Sequence, residues 1–374
     1  MMKVIVALDS FKGTLSAVEA CKIVSMALEE LRPDVEVILK PMADGGEGTA
    51  LAMMAARNGE WISKKVTGPL PDMEVDAGFV WFENNKTALV EMAIANGLPL
   101  LSKKEQNPLN TSTYGTGELI KAAIEYGARK ILLAMGGSAT VDGGVGAAMA
   151  LGWQFLDEKG GAILDGGAAL GQLSKIIKPR VLNLPPIEVL SDVDNPLCGR
   201  YGAAVTYGPQ KGATPEMVEQ LENNILRLSE IVKKQLNKDI KNIPGAGAAG
   251  GLAAGAIAFM DASVVLGIDT IMAQNNIFHE LKDADWIITG EGSFDQQSLR
   301  GKVVSGIVKA ASNTNAKVAV MAGQSFVPED EYKKFGIAVV ASCKNDDMSL
   351  DYALNNPHRC LASAARELIA TFIK

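Results

Sequence analysis

Trp286-Ile287-Ile288-Thr289-Gly290-Glu291-Gly292-Ser293-Phe294-Asp295 is a short apolar run that breaks into a glycine-flanked carboxylate. Such a run reads as a buried strand, and the polar residues after it fall at the strand's carboxyl end. Two other places repeat the grammar. Val35-Glu36-Val37-Ile38-Leu39 precedes Asp44-Gly45-Gly46-Glu47-Gly48, and Ile131-Leu132-Leu133-Ala134-Met135 precedes Gly136-Gly137-Ser138-Ala139-Thr140-Val141-Asp142-Gly143-Gly144. Glycine lets backbone N–H groups converge on an anion without a Cβ in the way. Carboxylates beside such a nest make sense where a divalent cation bridges them to phosphate oxygens. Loops at the carboxyl ends of buried strands are where α/β proteins bind ligands. The combination points to phosphoryl transfer with a metal–nucleotide.

Outward from that stretch, the two chain ends share one pattern. Lys3 to Leu8 is a first strand, and Ser16-Ala17-Val18-Glu19 is a capping box opening a helix that runs to Leu31 before Arg32-Pro33. Beyond Asp285, strands at Trp286 to Thr289, Lys317 to Met321 and Ile337 to Ala341 alternate with helices near Lys302 to Ala311 and Leu361 to Phe372. The middle differs. Trp61 to Val66, Val75 to Phe82 and Lys86 to Met92 read as a meander, Ala203 to Tyr207 as a further strand, and Pro215 to Leu236 as a long amphipathic helix. The expected fold is two-domain α/β. Residues 1–66 and 284–374 build a discontinuous Rossmann/flavodoxin-like parallel domain, and 67–283 form an inserted mixed α+β domain. The cleft between the domains is the default active site.

The 374 residues are 48% hydrophobic and 21% charged, with a net charge of −7. No basic run or aromatic–basic alternation appears, so nucleic acid and anionic membrane are poor partners. Cys21, Cys198, Cys343 and Cys360 lie far apart without a Cys-x-x-Cys, and only two histidines are present, which speaks against a structural zinc site. Buried reduced thiols and a strand rather than a signal peptide at the N-terminus suit a cytoplasmic protein. The oligomeric state is left open, a homodimer included.

The polar residues at the strand ends are the candidate site. Lys12, in Asp9-Ser10-Phe11-Lys12, could neutralise a phosphate or a substrate carboxylate, with Asp9 and Ser10 beside it. Asp44 and Glu47 could serve as base and metal ligand, although a turn with helix N-terminal charge also explains Glu47. Gly137, Ser138 and Asp142 sit in a loop with more glycine than a turn needs, which favours anion binding. Asp192 and Asp194 have a spacing that suits a shared cation, against an Asx-turn before Pro196. Lys211, Glu291, Asp295 and Lys302 complete the set. No Walker A motif exists. Gly245-Ala246-Gly247-Ala248-Ala249-Gly250 matches a dinucleotide fingerprint but lacks its preceding strand; around Gly247 the choice is between a phosphate cradle and close helix packing.

These residues resemble the glycerate kinases of the bacterial sugar-acid type. The matching segments include Asp9 to Ser16, Pro41 to Thr49, Thr116 to Ile120, Gly136 to Gly144, Ser191 to Leu197, Pro209 to Ala213, Pro244 to Leu252, and Gly290-Glu291-Gly292 with Asp295, Gln297, Gly301 and Lys302. They run in order through essentially the whole chain; Ser298 stands where the family more often has threonine. The resemblance implies ATP-dependent phosphorylation of D-glycerate at the 2-hydroxyl, with Mg²⁺, on a two-domain α/β fold. The physical reading adds Asp44 as base, Lys12 as phosphate or carboxylate partner, and metal-holding carboxylates drawn from Asp192, Asp194, Glu291 and Asp295. Asp9, Ser10, Gly45, Gly46, Glu47, Gly137, Ser138, Asp142, Lys211, Gly247 and Lys302 would bind substrate or nucleotide. A Mg²⁺-dependent dehydratase or mutase could use the same carboxylates without a nucleotide, and a non-catalytic sensor could close on the acid. A kinase giving 3-phosphoglycerate is a further alternative.

Overall fold

The computed structural model describes residues 1–345 and 347–373. In chain order the strands are β1 (Lys3–Leu8), β2 (Glu36–Leu39), β3 (Glu60–Thr67), β4 (Glu74–Phe82), β5 (Thr87–Glu91), β6 (Lys130–Ala134), β7 (Gln154–Leu156), β8 (Lys175–Ile177), β9 (Ile187–Leu190), β10 (Ser263–Val265), β11 (Trp286–Phe294), β12 (Lys317–Ser325) and β13 (Ile337–Ser342). They divide between two compact units, one of residues 1–44, 51–58 and 267–374, the other of 45–50 and 59–266.

The first unit is a five-stranded parallel sheet in the order β13-β12-β11-β1-β2. Numbered within the unit, this is the doubly wound order 2-1-3-4-5, and the strand order reverses between β1 and β11. All six residues of β1 are buried, as a central parallel strand covered on both faces demands. One face packs Val4, Val6, Leu8, Ile288 and Met321 with Val24 and Leu28 of helix Ala17–Leu31 and Leu361 and Leu368 of helix Pro357–Phe372. The capping box is formed: Ser16 Oγ accepts from the Glu19 N–H at 3.2 Å and Glu19 Oε2 accepts from the Ser16 N–H at 2.9 Å. That satisfies two donors that the first helical turn would otherwise orphan.

The second unit is a mixed six-stranded sheet, β10-β9-β6-β5-β4-β3. β3, β4 and β5 form the expected antiparallel meander, while β5, β6, β9 and β10 run parallel. Helix Pro215–Leu236 has the expected bounds and buries Leu221, Ile225, Leu228 and Val232. Among the described residues, no helix is long and apolar enough to cross a membrane.

Three expectations need correction. Residues 61–66 belong with the second unit, because β3 pairs with β4 over eight residues. The chain returns to the first unit at Gly267 rather than 284, with helices Gly267–Gln274 and Ile277–Glu280. Composition does not mark either crossing, since strand pairing is decided by distant partners. Ala203–Tyr207 is a helix, not a strand. A five-residue run carries too little period to separate the two, and the turn closed by the Gly202 N–H on Gly199 O at 2.8 Å feeds straight into helical hydrogen bonds.

Gly290 is where β11 and β12 require the absence of a side chain. A Cβ there would lie 1.9 Å from the Met321 carbonyl oxygen and 2.9 Å from Leu8 Cδ2. Neither strand can yield without breaking its ladder. Gly290→Ala is therefore expected to destabilise the protein by about 1–3 kcal/mol. Urea unfolding monitored by far-UV circular dichroism checks this, and an unchanged midpoint would refute the steric argument.

Candidate active site

Every sequence-predicted residue of the first unit's loops except Gly-rich spacers faces one cavity of about 290 Å³. Asp9, Ser10 and Lys12 come from the loop after β1, Asp44 from the segment after β2, Glu291 and Asp295 from the end of β11, and Lys302 from the start of helix Val303–Ala311. The cavity thus opens at the carboxyl ends of β1 and β11, the place where the strand order reverses. The loop carrying Lys12 is pinched shut at its base. The Phe11 N–H donates to Leu15 O at 2.8 Å and the Leu15 N–H to Phe11 O at 3.0 Å, which leaves Lys12 exposed at the tip.

The carboxylates crowd one another. Asp9 is only 8% exposed. Burial foremost, then the Asp44 and Glu291 charges, push its carboxyl up to about 7, against the Ser10 N–H that it accepts at 2.6 Å and the Lys12 charge. Glu291 is 9% exposed and also held above its ordinary value by burial, with Ser298 and Lys302 pulling the other way. Its Oε1 is buried without a hydrogen-bond partner. Such an atom is costly unless something binds it. Asp295 forms an Asx-turn, its Oδ1 accepting the Gln297 N–H at 2.7 Å. Ser298 Oγ accepts the Asp295 N–H at 3.0 Å, so the serine holds this turn. Lys302 caps helix Val303–Ala311 at its N-terminus, where a cation opposes the dipole. Its charge and the helix end both favour an anion in the cavity.

The cavity also has an apolar wall that sequence reasoning missed, with Leu350, Leu354 and Pro357 beside Cys343 and Cys360. Gly323 and Gln324 line it too, at the end of β12. They follow the apolar run Val318–Ala322 and carry the same strand-end signal as the residues that were singled out. Burial pushes the Cys343 thiol up to about 12, which leaves it unreactive.

The remaining candidates belong to the second unit. Between Asp44 and Gly45 the chain leaves the first unit, so the Asp-Gly-Gly-Glu motif is split. Gly45 and Gly46 pack backbone to backbone against the loop after β6: the Met135 N–H donates to Gly45 O at 3.0 Å, and a Cβ on Gly136 would lie 2.4 Å from Gly46 Cα. Glu47 is exposed. Glu91, which sequence reasoning passed over, accepts the Gly48 and Ala50 N–H groups at 2.8 Å each and so closes the start of helix Thr49–Arg57.

Asp142 turns inward. It accepts the Thr113 N–H and hydroxyl at 2.8 Å each, the Gly144 N–H at 3.0 Å and the Gly146 N–H at 3.2 Å. Oδ2 takes three of those donors and Oδ1 one, so the carboxylate ties Thr113 to the turn at Gly144 and Gly146. Gly247 and Gly250 are packing glycines. Cβ atoms there would lie 2.4 Å from Pro196 O and 1.9 Å from Thr140 O. The fingerprint-like segment thus runs in close contact with neighbouring backbone. Asp192 and Asp194 follow β9, half-buried and exposed respectively. Among the described residues, no three His, Cys, Asp or Glu side chains stand together as a metal cage. Asp192 and Asp194 belong to the second unit, Glu291 and Asp295 to the first. Gly137 is exposed, while Ser138 and Lys211 are buried and hydrogen-bonded to each other at 2.6 Å.

Comparison with known proteins agrees with this architecture. The model of the glycerate kinase family matches residues 4–373. The chain is 43% identical over 373 residues to a glycerate kinase of Halalkalibacterium halodurans, covering 98% of this chain and 97% of that protein. It is 40% identical over 374 residues to the glycerate 2-kinase of Escherichia coli K12, covering 99% and 98%. A solved structure of glycerate kinase 2 from Salmonella typhimurium LT2 superposes with a TM-score of 0.86 at 38% identity, over 100% of this chain and 98% of that one. Proteins so named are phosphotransferases with an alcohol acceptor, and with its whole length matched the chain belongs to the glycerate kinase family.

Proposed function

We propose that the protein transfers the γ-phosphoryl group of ATP to the 2-hydroxyl of D-glycerate, giving 2-phosphoglycerate and ADP. The observation that carries this reading is the cavity at the carboxyl ends of β1 and β11, where Asp9, Asp44, Glu291 and Asp295 stand with Lys12 and Lys302. The name of the Escherichia coli relative supports the choice of the 2-hydroxyl. Phosphoryl transfer asks a protein mainly for positioning and for offsetting charge, and this site supplies both without histidine.

The chemistry balances with these residues. Asp44 accepts the proton of the attacking hydroxyl, a new P–O bond forms to that oxygen, and the bond to the ADP oxygen breaks. Lys12 and Lys302 face the charge on the transferring group. The donor set also fits Mg²⁺, which takes one or two carboxylates and completes its shell with water and phosphate oxygens. Glu291, with its orphaned buried oxygen, and Asp295 would hold it. When bound, the ion would neutralise phosphate charge. The apolar wall at Leu350 and Leu354 suits the nucleotide base, and Asp9 and Ser10 line the floor.

Incubation with D-glycerate, ATP and Mg²⁺ should yield 2-phosphoglycerate as the first product in ³¹P NMR, and EDTA should abolish turnover reversibly. A first signal from 3-phosphoglycerate would overturn the regiochemistry, and no turnover at all would overturn the kinase reading.

Two substitutions separate the proposed roles. Lys12→Ala removes an exposed cation facing phosphate and should cost ~10²–10³ in kcat/KM. Asp44→Asn should lower kcat by a similar factor while nucleotide affinity barely changes. If Asp44 instead holds the metal, excess Mg²⁺ would rescue the variant; steady-state kinetics across a Mg²⁺ series reads the difference.

The carboxylate cluster also costs stability in the ligand-free protein. Asp9 keeps its proton in the fold to a higher pH than in the unfolded chain, whose ordinary value is 3.8. The folded state then binds more protons, and stability falls as pH rises through that interval up to about 7. Asp9→Asn should flatten this slope and gain on the order of 1–3 kcal/mol at pH 8. Melting temperatures between pH 5 and 8, with EDTA and without nucleotide, check it; an unchanged slope would show that Asp9 is not the group responsible.

A further inference from the structure

We infer that Lys211 and Ser138 form an oxyanion subsite in the second unit: the buried ammonium holds Ser138 from behind, and the serine hydroxyl donates outward to a carboxylate or phosphate oxygen. The choice of ligands rests on the kinase reading above; the geometry does not.

Lys211 ends the turn Pro209–Lys211 and is only 2% exposed. Its Nζ donates to Ser138 Oγ at 2.6 Å and to Thr140 O at 2.7 Å, both neutral acceptors. Among the described residues, no carboxylate pairs with it within 4.0 Å. Asp142 is the charge that faces it, yet both Asp142 oxygens are taken by Thr113, Gly144 and Gly146. A buried ammonium with only neutral partners is expensive, and holding two loop atoms together does not need a charge. An anion reaching the serine would complete its surroundings.

Ser138 is placed to receive that anion. Because its oxygen accepts from Lys211, its own proton is directed elsewhere, and among the described residues it meets no acceptor. The backbone beside it is pinned, with the Leu98 N–H on Gly137 O at 2.8 Å and the Ala139 N–H on Asn96 O at 3.0 Å. Ser138 is 8% exposed and its neighbour Gly137 lies open to solvent. On the same loop, Thr140 Oγ1 is buried without a partner. Burial pushes Lys211 down to about 7, with Asp142 opposing, so the charge behind the serine fades above neutrality. The other ionised group near Gly137 is Glu47, which is exposed and screened by solvent.

The carboxylate of glycerate and a phosphate of the nucleotide share the chemistry this subsite recognises, and kinetics tells them apart. Ser138→Ala and Lys211→Met should raise KM for D-glycerate at least tenfold if the carboxylate binds here, or KM for MgATP if a phosphate does, with a smaller change in kcat. In the native protein the affected KM should rise above pH 7; in Lys211→Met it should be high and flat. Calorimetric titration with D-glycerate, MgATP and inorganic phosphate reads the same subsite without turnover, so a protein that failed as a kinase would still answer. If Lys211→Met does not fold, Ser138→Ala decides, since it leaves the lysine in place. Folded Ser138→Ala with native affinity for all three ligands, or a loss of stability with no change in any KM or pH profile, would overturn the inference.

Discussion

The pairing of β1 with β11 is the constraint on which the first unit depends. It sets Val4 to Leu8 beside Trp286 to Gly290 in parallel, and the Lys3 N–H reaches Asp285 Oδ2 across 282 residues of chain. Register then does the rest. Asp9, just after β1, and Glu291, in the last part of β11, stand at the same end of the sheet and line one cavity. The Asp9 N–H donates to Gly290 O at 2.8 Å, which ties the loop to the neighbouring strand. No local feature of either segment brings these carboxylates together; the sheet does.

Crowding acids in this way works against folding and in favour of binding. Four carboxylates in one cavity repel each other, and burial removes the water that would screen them. The lysines on the rim offset part of this, and a cation with phosphate oxygens would offset more. The second unit solves its electrostatics differently. Asp142 and Glu91 are buried carboxylates satisfied by backbone N–H groups at helix starts. Burial still holds both above the ordinary carboxylate range, but here backbone N–H groups, not neighbouring acids, are what each carboxylate meets first.

Much of this was legible in the sequence because it is local. Strand runs that break into glycine and carboxylate located Asp9, Lys12, Asp44, Glu291 and Asp295, and the structure gathers all of them. What was not legible is what distant backbone decides. Nothing in Asp142 or Gly250 reveals that four donors face the one and a carbonyl oxygen presses on the other. Glu91 looked like the tail of a strand, yet it closes a helix more than forty residues earlier in the chain. The apolar wall around Leu350 had no motif at all, since ordinary helix residues become part of a site only through packing.

The β1–β11 pairing has a consequence for how the chain is made. β1 and β2 emerge from the ribosome well before β11, but two parallel strands do not hold together alone, and their apolar faces wait for β11 and the helices that follow it. Residues 59–266 need no such delay, for nearly all of the second unit's partners lie within that span. Synthesis at about 5–20 residues per second leaves β1 unpaired for roughly 15–60 seconds. The growing chain must therefore carry an unsatisfied β1 while a complete unit folds behind it. The hazard of aggregation is concentrated in the first forty residues, and a chain that stops short of β11 retains the second sheet but never assembles the first.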